Sequence, residues 1–184
     1  DVEIEVNGLL TYDREIIKVP VEEIAALHRT FYAPPLNFTE VVATSEAKPQ
    51  TWKFTEAKPS DDWTKPGFDD REWKEGPGGF GTAMTPGTKV RTEWKSNDIW
   101  LRRTFSYTGD GTGVRLKLHH DEDAEVYLNG EKIAVLSGFT TGYVMVPLNA
   151  AAIKALRQGN NSLAVHCHQT AGGQYIDVGL VEGK

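Results

Sequence analysis

The segment that decides the fold runs Ala124-Glu-Val-Tyr-Leu-Asn129-Gly130-Glu-Lys-Ile-Ala-Val-Leu136. Apolar and polar residues alternate along much of it on both sides of Asn129-Gly130, which is the period of a strand with one buried face. Asn and Gly both tolerate positive φ, so this dipeptide suits the two-residue turn whose twist matches antiparallel strands. The segment therefore predicts a β-hairpin and favours an antiparallel, all-β protein.

Short alternating segments separated by Gly, Pro, Asn and Asp recur on both sides of this hairpin. We expect strands at residues 51–55, 98–107, 114–120, 124–128, 132–136, 142–147, 162–168 and 175–181. Many short strands with turn residues between them predict a β-sandwich or barrel. One short helix is expected over residues 149–158, with Asn149 as its N-cap and Gly159 as its stop.

Residues 61–97 carry three Trp and nine Gly or Pro and look too irregular for strands. A loop of that length in a compact domain is usually functional or held by its own side chains. We expect large aromatic side chains to pack it onto the sandwich rather than to form a sugar platform. These anchors are Trp63, Phe68, Trp73 and Phe80. Trp94, among polar neighbours, is the aromatic residue expected to remain exposed.

The first 45 residues show a different pattern. Apolar residues recur at helical spacing over residues 20–31, Pro20 suits a first helical turn, and Pro34-Pro35 ends the pattern. This predicts one helix whose apolar stripe has little to cover in the preceding residues, so we expect it to pack on a larger body. The sequence begins at Asp1, with neither an initiator Met nor a basic and apolar leader. We therefore expect upstream residues that belong to the same natural protein.

Composition excludes several classes of function. The chain has 184 residues, a net charge of -6 and no cluster of Lys and Arg, which argues against nucleic acid as a partner. No apolar run approaches the roughly 18 residues of a membrane-spanning helix. The single cysteine excludes an internal disulfide and a multi-cysteine zinc site. Cys167 falls on an apolar strand face and is interpreted as a buried small hydrophobe.

Strand alternation also places several polar side chains together. His166 and His168 share one face of their strand, and Tyr175 and Asp177 share the non-core face of the next strand. If these two strands pair, a polar patch results, and His119 joins it if its own strand is adjacent. The patch could ligate a metal, hydrogen-bond sugar hydroxyls, or satisfy its own hydrogen bonds, and the last interpretation is preferred.

The opening run Asp1-Val-Glu-Ile-Glu-Val-Asn-Gly-Leu-Leu-Thr-Tyr-Asp-Arg14 resembles the end of the catalytic (β/α)₈ barrel of glycoside hydrolase family 2. By this resemblance, residues 1–45 are a barrel remnant and linker, and the helix at 20–31 is the outer helix of the last barrel unit. The family's two catalytic glutamates come from earlier barrel strands and have no counterpart here. The resemblance therefore implies no enzyme activity for this chain and no catalytic role for Glu3 or Glu5.

Residues 46–184 resemble the galactose-binding-like jelly-roll modules that accompany such hydrolases. The resemblance rests on Asp61-Asp62-Trp63, Phe68 to Trp73, Gly78-Gly79-Phe80-Gly81, Ile99 to Phe105, Asp121 to Gly130, and Gly159 to Val165. It implies an all-β fold, namely a jelly-roll β-sandwich with an N-terminal extension that contains one helix. The fold indicates architecture more strongly than ligand.

Two functions follow from the resemblance as expectations. The first is a non-catalytic, carbohydrate-binding accessory module, with Trp94, His119, His166, His168, Tyr175 and Asp177 as candidate ligand contacts. The second is a purely structural module that packs on the catalytic barrel without binding glycan. The expected partners are carbohydrate and the upstream catalytic domain, and the expected location is the periplasm or the outside of the cell.

No cofactor is required by either function. Jelly rolls of this kind can hold a structural calcium, because that ion takes several hard oxygens from loops. The acids that could supply them are Asp69, Asp70, Asp110, Asp121 and Asp123. Their spacing matches no defined calcium loop, so no ligand is assigned.

Overall fold

In a computed structural model of the chain, the described residues are 22, 37–83 and 85–183. The chain divides between Pro35 and Leu36 into two units. The helix predicted over residues 20–31 and the barrel motif at residues 1–14 lie outside the described residues, Glu22 alone excepted. The origin of residues 1–45 in a barrel stays a prediction.

The described part of the second unit contains twelve strands and one short helix. The strands are β1 (Phe38–Val42), β2 (Thr51–Thr55), β3 (Lys74–Pro77), β4 (Phe80–Gly81), β5 (Thr92–Glu93), β6 (Asp98–Tyr107), β7 (Val114–Asp121), β8 (Asp123–Leu128), β9 (Glu131–Leu136), β10 (Val144–Pro147), β11 (Gly159–His168) and β12 (Tyr175–Gly183). The helix α1 spans Ala150–Ala155. The predicted all-β class is confirmed.

The strands form two six-stranded sheets. One, the β12 sheet, has the order β10-β7-β12-β4-β5, with β1 also paired to β12. The other, the β11 sheet, has the order β3-β2-β6-β11-β8-β9. All pairings are antiparallel except that of β4 with β5. The two sheets form a sandwich consistent with a jelly roll.

The core lies between the sheets, and alternation explains its members. In β7, Val114, Leu116 and Leu118 are buried while Arg115 and Lys117 are half-buried. One cluster of buried side chains joins residues from both sheets, including Leu101 and Val165. Burial of such side chains stabilises the fold by roughly 1.5 to 3 kcal/mol each.

The hairpin predicted around Asn129-Gly130 is confirmed. The two residues have φ of 52° and 92°, and β8 pairs with β9 across them. The Asn129 amide donates to Ala155 O at 2.8 Å and to Asn161 Oδ1 at 2.7 Å. Its own Oδ1 accepts from the Ser162 N–H at 2.9 Å, so one turn residue links the hairpin to α1 and β11.

The Asn N-cap of α1 is confirmed, but the predicted stop is wrong. Asn149 Oδ1 accepts from the Ala152 N–H at 2.9 Å. The helix ends at Ala155, its C-cap Leu156 has an extended conformation, and Gly159 instead begins β11. Gly159 pairs with Tyr107 of β6 and therefore lies in the strand, beyond the end of the helix.

The expectation that residues 61–97 form no strand is wrong, because β3, β4 and β5 lie there. Each is two to four residues long, too short to show a period in the sequence. β3 is an edge strand, where Pro77 is tolerated since its missing N–H is needed by no partner.

The aromatic anchors of this stretch are confirmed as packing residues. Trp63 is buried against Trp100 and Ala164 on the outer face of the β11 sheet, and Phe68 and Trp73 pack against that group. Phe80 is fully buried in the main core. Arg102, only 3% exposed, donates to the carbonyl of Trp63 and to Asp70 Oδ2, which holds the stretch to the sheet.

The sandwich begins before residue 46. β1 pairs with β12 from Phe38↔Gly183 to Val42↔Leu180, so residues 38–42 belong to the β12 sheet. The resemblance places residues 38–42 in the linker, and a segment of five residues is too short to indicate a strand by its own pattern. Among the described residues, no helix has the length and hydropathy of a membrane span.

Candidate functional site

The predicted polar patch does not exist as one site. β11 pairs with β6 and β8, whereas β12 pairs with β7, β1 and β4, so the two strands lie in different sheets. The condition for the patch, pairing of β11 with β12, is therefore not met. His166 and His168 are separated from Tyr175 and Asp177, and the candidates fall into an interior group and a surface group.

Trp94 is not an exposed aromatic residue, and this expectation is also wrong. Its side chain is fully buried in the main core. The indole N–H donates to Ser96 Oγ at 3.1 Å and to the Asp98 carbonyl at 3.2 Å. Burial of a large apolar ring lowers the free energy of the folded state by more than the polar residues beside it in the chain raise it. A buried indole offers no face to a sugar.

The interior group brings together His119, Tyr175 and Asp177. β7 pairs with β12, which places His119 opposite Asp177 as expected for adjacent strands. The rings of His119 and Tyr175 have centroids 4.8 Å apart, and Tyr143 lies 5.6 Å from His119. All three predicted residues are 1% exposed. The expectation that they form a surface patch is wrong, because loop residues cover this face of the sheet.

Asp177 organises the interior group. Its Oδ2 accepts from the Ser45 N–H at 2.7 Å and from the Tyr143 hydroxyl at 2.5 Å. Its Oδ1 has no hydrogen-bond partner among the described atoms. Burial raises the pKa of Asp177 to about 6, although the hydrogen bonds from Tyr143 and Ser45 act in the opposite direction. The group is a structural network that ties β12 to the segment before β2.

The surface group is built around Asp98, which sequence reasoning did not select. His166 Nε2 and His168 Nδ1 lie 2.7 and 2.9 Å from Asp98 Oδ1. Burial alone would raise the pKa of Asp98, but hydrogen bonds from His168 and His166 outweigh it and lower the pKa. Asp98 is thus a carboxylate acceptor for both imidazoles. Its place at the start of a strand could have suggested the contact only if the pairing of β6 with β11 were known.

Cross-strand register explains why a cleft forms beside these imidazoles. His166 lies opposite Trp100 on β6 and Glu125 on β8, while His168 lies opposite Asp98 and Asp123. Side chains in such rows are close neighbours on one face of a sheet. The resulting surface cleft has a volume of about 290 Å³. It is lined by Asp123, Ala124, Glu125, Val135, Leu136, Ser137, His166 and His168. We call it the His166–His168 cleft.

The carboxylates of the surface group are not suited to act as general acids. Glu125 accepts from Lys132 Nζ at 2.6 Å and from the Tyr127 hydroxyl at 2.7 Å. The hydrogen bond from Lys132 is the main cause of the lowered pKa of Glu125. A glycosidase acid needs a raised pKa so that it carries a proton at working pH. Asp98 and Glu125 do not meet this requirement, because the pKa of each is lowered.

Metal ligation is not supported by the geometry of the described part of the chain, where no group of three or more His, Cys, Asp or Glu residues could hold a metal ion. Two of the acids considered for calcium have cationic partners, since Asp69 pairs with Arg71 at 2.6 Å and Asp70 with Arg102 at 3.0 Å. Cys167 is fully buried, as expected, and burial raises its pKa, so it is an inert core residue.

A larger cavity of about 410 Å³ lies elsewhere, between Gly109 and Gly183. The polar groups around it hold a loop in place. Glu182 accepts from the Tyr107 hydroxyl at 2.7 Å, and that hydroxyl accepts from the Gly111 N–H at 2.7 Å. Asp110 accepts from the Thr112 N–H at 2.8 Å. The smaller His166–His168 cleft is the better candidate for a binding site, because several side chains that can hydrogen-bond a ligand converge there.

Comparisons with known proteins point to one fold. Neither protein-family models nor curated protein sequences match the chain. Among solved structures, it is similar to a glycosyl hydrolase family 2 member from Bacteroides cellulosilyticus, with 15% identity, a TM-score of 0.55, and coverage of 78% of this chain and 21% of that one. A Bacteroides uniformis β-glucuronidase matches with 18% identity, a TM-score of 0.53, and coverage of 79% and 18%.

A third structure, Bacteroides uniformis β-glucuronidase 2, matches with 19% identity, a TM-score of 0.52, and coverage of 80% and 18%. The chain thus spans about a fifth of each of these structures. Identity this low shows the fold and leaves the activity open, since one fold carries many functions.

Proposed function

We propose that this chain is a non-catalytic accessory β-sandwich of a glycoside hydrolase and that it binds carbohydrate at the His166–His168 cleft. The proposal is supported by the likeness of its fold to part of family 2 hydrolase structures. The observation that carries the binding role is the convergence of two imidazoles and two carboxylates on one open sheet face. Such groups hydrogen-bond the hydroxyls of a sugar.

The cleft differs from a sugar platform built on aromatic stacking. Trp100, which lies opposite His166 in the sheet, is 8% exposed and has one face against the imidazole of His166. Binding there rests on polar contacts, with the exposed side chain of Val135 as the apolar wall. Polar contacts that water can replace give modest affinity, so we expect weak binding.

A glycan array followed by isothermal titration with this chain tests the proposal. We expect binding of at least one oligosaccharide, weakened about fivefold or more in His168→Ala, which removes an imidazole that is 45% exposed. Glu131→Gln is the matched control, because Glu131 is exposed on β9 and does not line the cleft. Undiminished binding in His168→Ala would place the sugar elsewhere.

The second candidate function is a structural module that packs on the catalytic barrel without binding glycan. It is favoured by the burial of the proposed aromatic platforms, since Trp94 is 0% exposed and Tyr175 is 1% exposed. Absence of binding across the array would favour it. Co-purification of this chain with a separately expressed catalytic region would support it further.

Two further parts of the proposal concern the parent protein. We propose that its catalytic glutamates lie upstream in a barrel. We also propose that the parent protein is periplasmic or secreted, because hydrolases of this kind are often exported. Assay of this chain with chromogenic glycosides is expected to show no turnover. The natural sequence upstream of Asp1 is expected to contain the barrel and a signal peptide.

A further inference from the structure

We infer that the His166–His168 cleft selects sugars without negative charge and rejects uronic acids. The inference rests on the proposed carbohydrate binding and names the class of sugar that the cleft takes. The cleft is lined mostly by hydrogen-bond acceptors. The ammonium group of Lys132 beside it is already paired with Glu125.

Asp98 sets the orientation of both imidazoles. Asp98 Oδ1 faces a ring nitrogen of both His166 and His168, at 2.7 and 2.9 Å. A carboxylate only accepts hydrogen bonds, so the nitrogen that faces it in each ring carries the hydrogen. In the neutral ring the other nitrogen is then an acceptor. Asp98 therefore fixes both imidazoles so that each presents an acceptor to any further partner.

The acids that line the cleft also act as hydrogen-bond acceptors. Asp123 and Glu125 lie directly across from these imidazoles on β8 and line the same cleft. Asp123 is exposed, and its Oδ1 accepts from the Gly138 N–H at 2.9 Å. An ionised carboxylate has about four acceptor sites, so each acid retains sites for a ligand. The side chains that converge in the cleft are mostly acceptors.

The described residues that line the cleft carry no lysine or arginine charge to balance these acids. None of the eight residues that line the cleft is Lys or Arg. Lys132 contacts the lining residue Glu125, and its ammonium is engaged in that ion pair at 2.6 Å. A uronic acid would bring a carboxylate toward Asp123 and Glu125 with no cation lining the cleft to receive it. A neutral sugar instead brings hydroxyl donors, which match the acceptors.

The experiment compares matched pairs of sugars that differ only at C6, where one member carries a hydroxymethyl group and the other a carboxylate. The pairs are oligosaccharides of glucose and glucuronic acid, galactose and galacturonic acid, and mannose and mannuronic acid. Both members of each pair are titrated at pH 8 in the same buffer. We expect at least one neutral member to bind at least tenfold more tightly than its uronic acid.

Two variants locate the discrimination in the cleft. Asp123→Asn and Glu125→Gln each remove one negative charge, and Glu125→Gln also releases Lys132. Each variant is expected to reduce the ratio of the affinities for the neutral sugar and its uronic acid by about two- to fivefold. Glu131→Gln removes the same charge from an exposed position outside the cleft and is expected to leave the preference unchanged.

The outcomes separate the two proposals. A uronic acid that binds as tightly as its neutral partner overturns the inference while carbohydrate binding stands. A preference for neutral sugar that both cleft variants leave intact also overturns it, because the charges of the cleft would then not be its cause. Failure of every sugar to bind overturns the proposed carbohydrate binding, and the inference falls with it.

Discussion

The indole of Trp100 and the imidazole of His166 stack with ring centroids 4.8 Å apart and planes inclined by 9°. The two residues lie opposite each other on β6 and β11. This stack leaves Trp100 only 8% exposed and holds His166 beside Asp98. The imidazole therefore covers an apolar ring on one side and forms part of the polar cleft.

His166→Ala is expected to lower the free energy of unfolding by about 2 kcal/mol, because it removes the aromatic stack and one hydrogen bond to Asp98. His168→Ala is the matched comparison. It loses a hydrogen bond to the same carboxylate but no stack, so we expect a loss below about 1 kcal/mol. Urea denaturation followed by tryptophan fluorescence measures both. Equal losses would show that the stack contributes nothing.

The buried carboxylate of Asp177 predicts a pH dependence of stability. Its pKa is raised by burial from the ordinary 3.8 to about 6, so the folded state binds the proton more tightly than the unfolded state. Its contribution to stability is therefore complete below pH 3.8 and is lost as the pH rises through about 6. Asp177→Asn removes this titration and retains an oxygen for the Ser45 N–H.

We expect the wild type to lose about 2 kcal/mol more than Asp177→Asn between pH 4 and pH 7. Urea denaturation at each pH, with the difference between the two proteins plotted against pH, isolates this group from the other acids. Parallel profiles would contradict the assigned pKa. Glu131→Gln, which removes an exposed acid of β9, is the control expected to leave the profile unchanged.

Gly78 lies where a side chain would strike the network around Asp177. A Cβ atom there would meet Ser45 Oγ at 2.6 Å, Asp177 Oδ1 at 2.9 Å and Trp52 Cδ1 at 3.1 Å. Gly78→Ala is therefore expected to destabilise the protein by about 1 to 3 kcal/mol through overpacking. Gly142→Ala is the control, since no atom lies within 4 Å of its Cβ position. Thermal unfolding by circular dichroism compares them, and equal melting temperatures would refute the expected clash.

Asn129→Ala is expected to lower the free energy of unfolding by about 3 kcal/mol. The change leaves the buried Ser162 N–H and Ala155 carbonyl without the amide that bonds them, and each such loss costs roughly 1 to 3 kcal/mol. It also places alanine at a φ of 52°, which favours Asn or Gly. Asn160→Ala, at an exposed position of β11, is the control. Chemical denaturation that gave both variants the same stability would contradict the role of Asn129.

Sequence reasoning predicted the long strands, the hairpin and the N-cap because each depends on neighbours within a few residues. The bounds of β2 and β6 agree with the predicted strands at both ends. The short strands β3, β4 and β5 were missed because two to four residues cannot display a period. Their pairing partners alone make them strands.

The candidate site was predicted only in part. Alternation correctly placed His166 and His168 on one face of β11 and His119 near Asp177. It could not identify Asp98, Asp123 or Glu125 as their neighbours, because a period of two reports the face of a residue and carries no information on the adjacent strand. The exposure of Trp94 was misjudged for a related reason, since polar flanking residues do not report whether a ring reaches the core.

The sequence by itself determined that this chain is an all-β sandwich or barrel with antiparallel hairpins, because alternation and turn chemistry are local properties. The tertiary structure alone decided that β11 and β12, although consecutive along the chain, belong to different sheets. That separation buries Asp177 among tyrosines and leaves His168 in an open cleft. Burial of the whole core determines which strands pair. Because the core brings together residues far apart in the chain, no single segment of sequence determines the pairing.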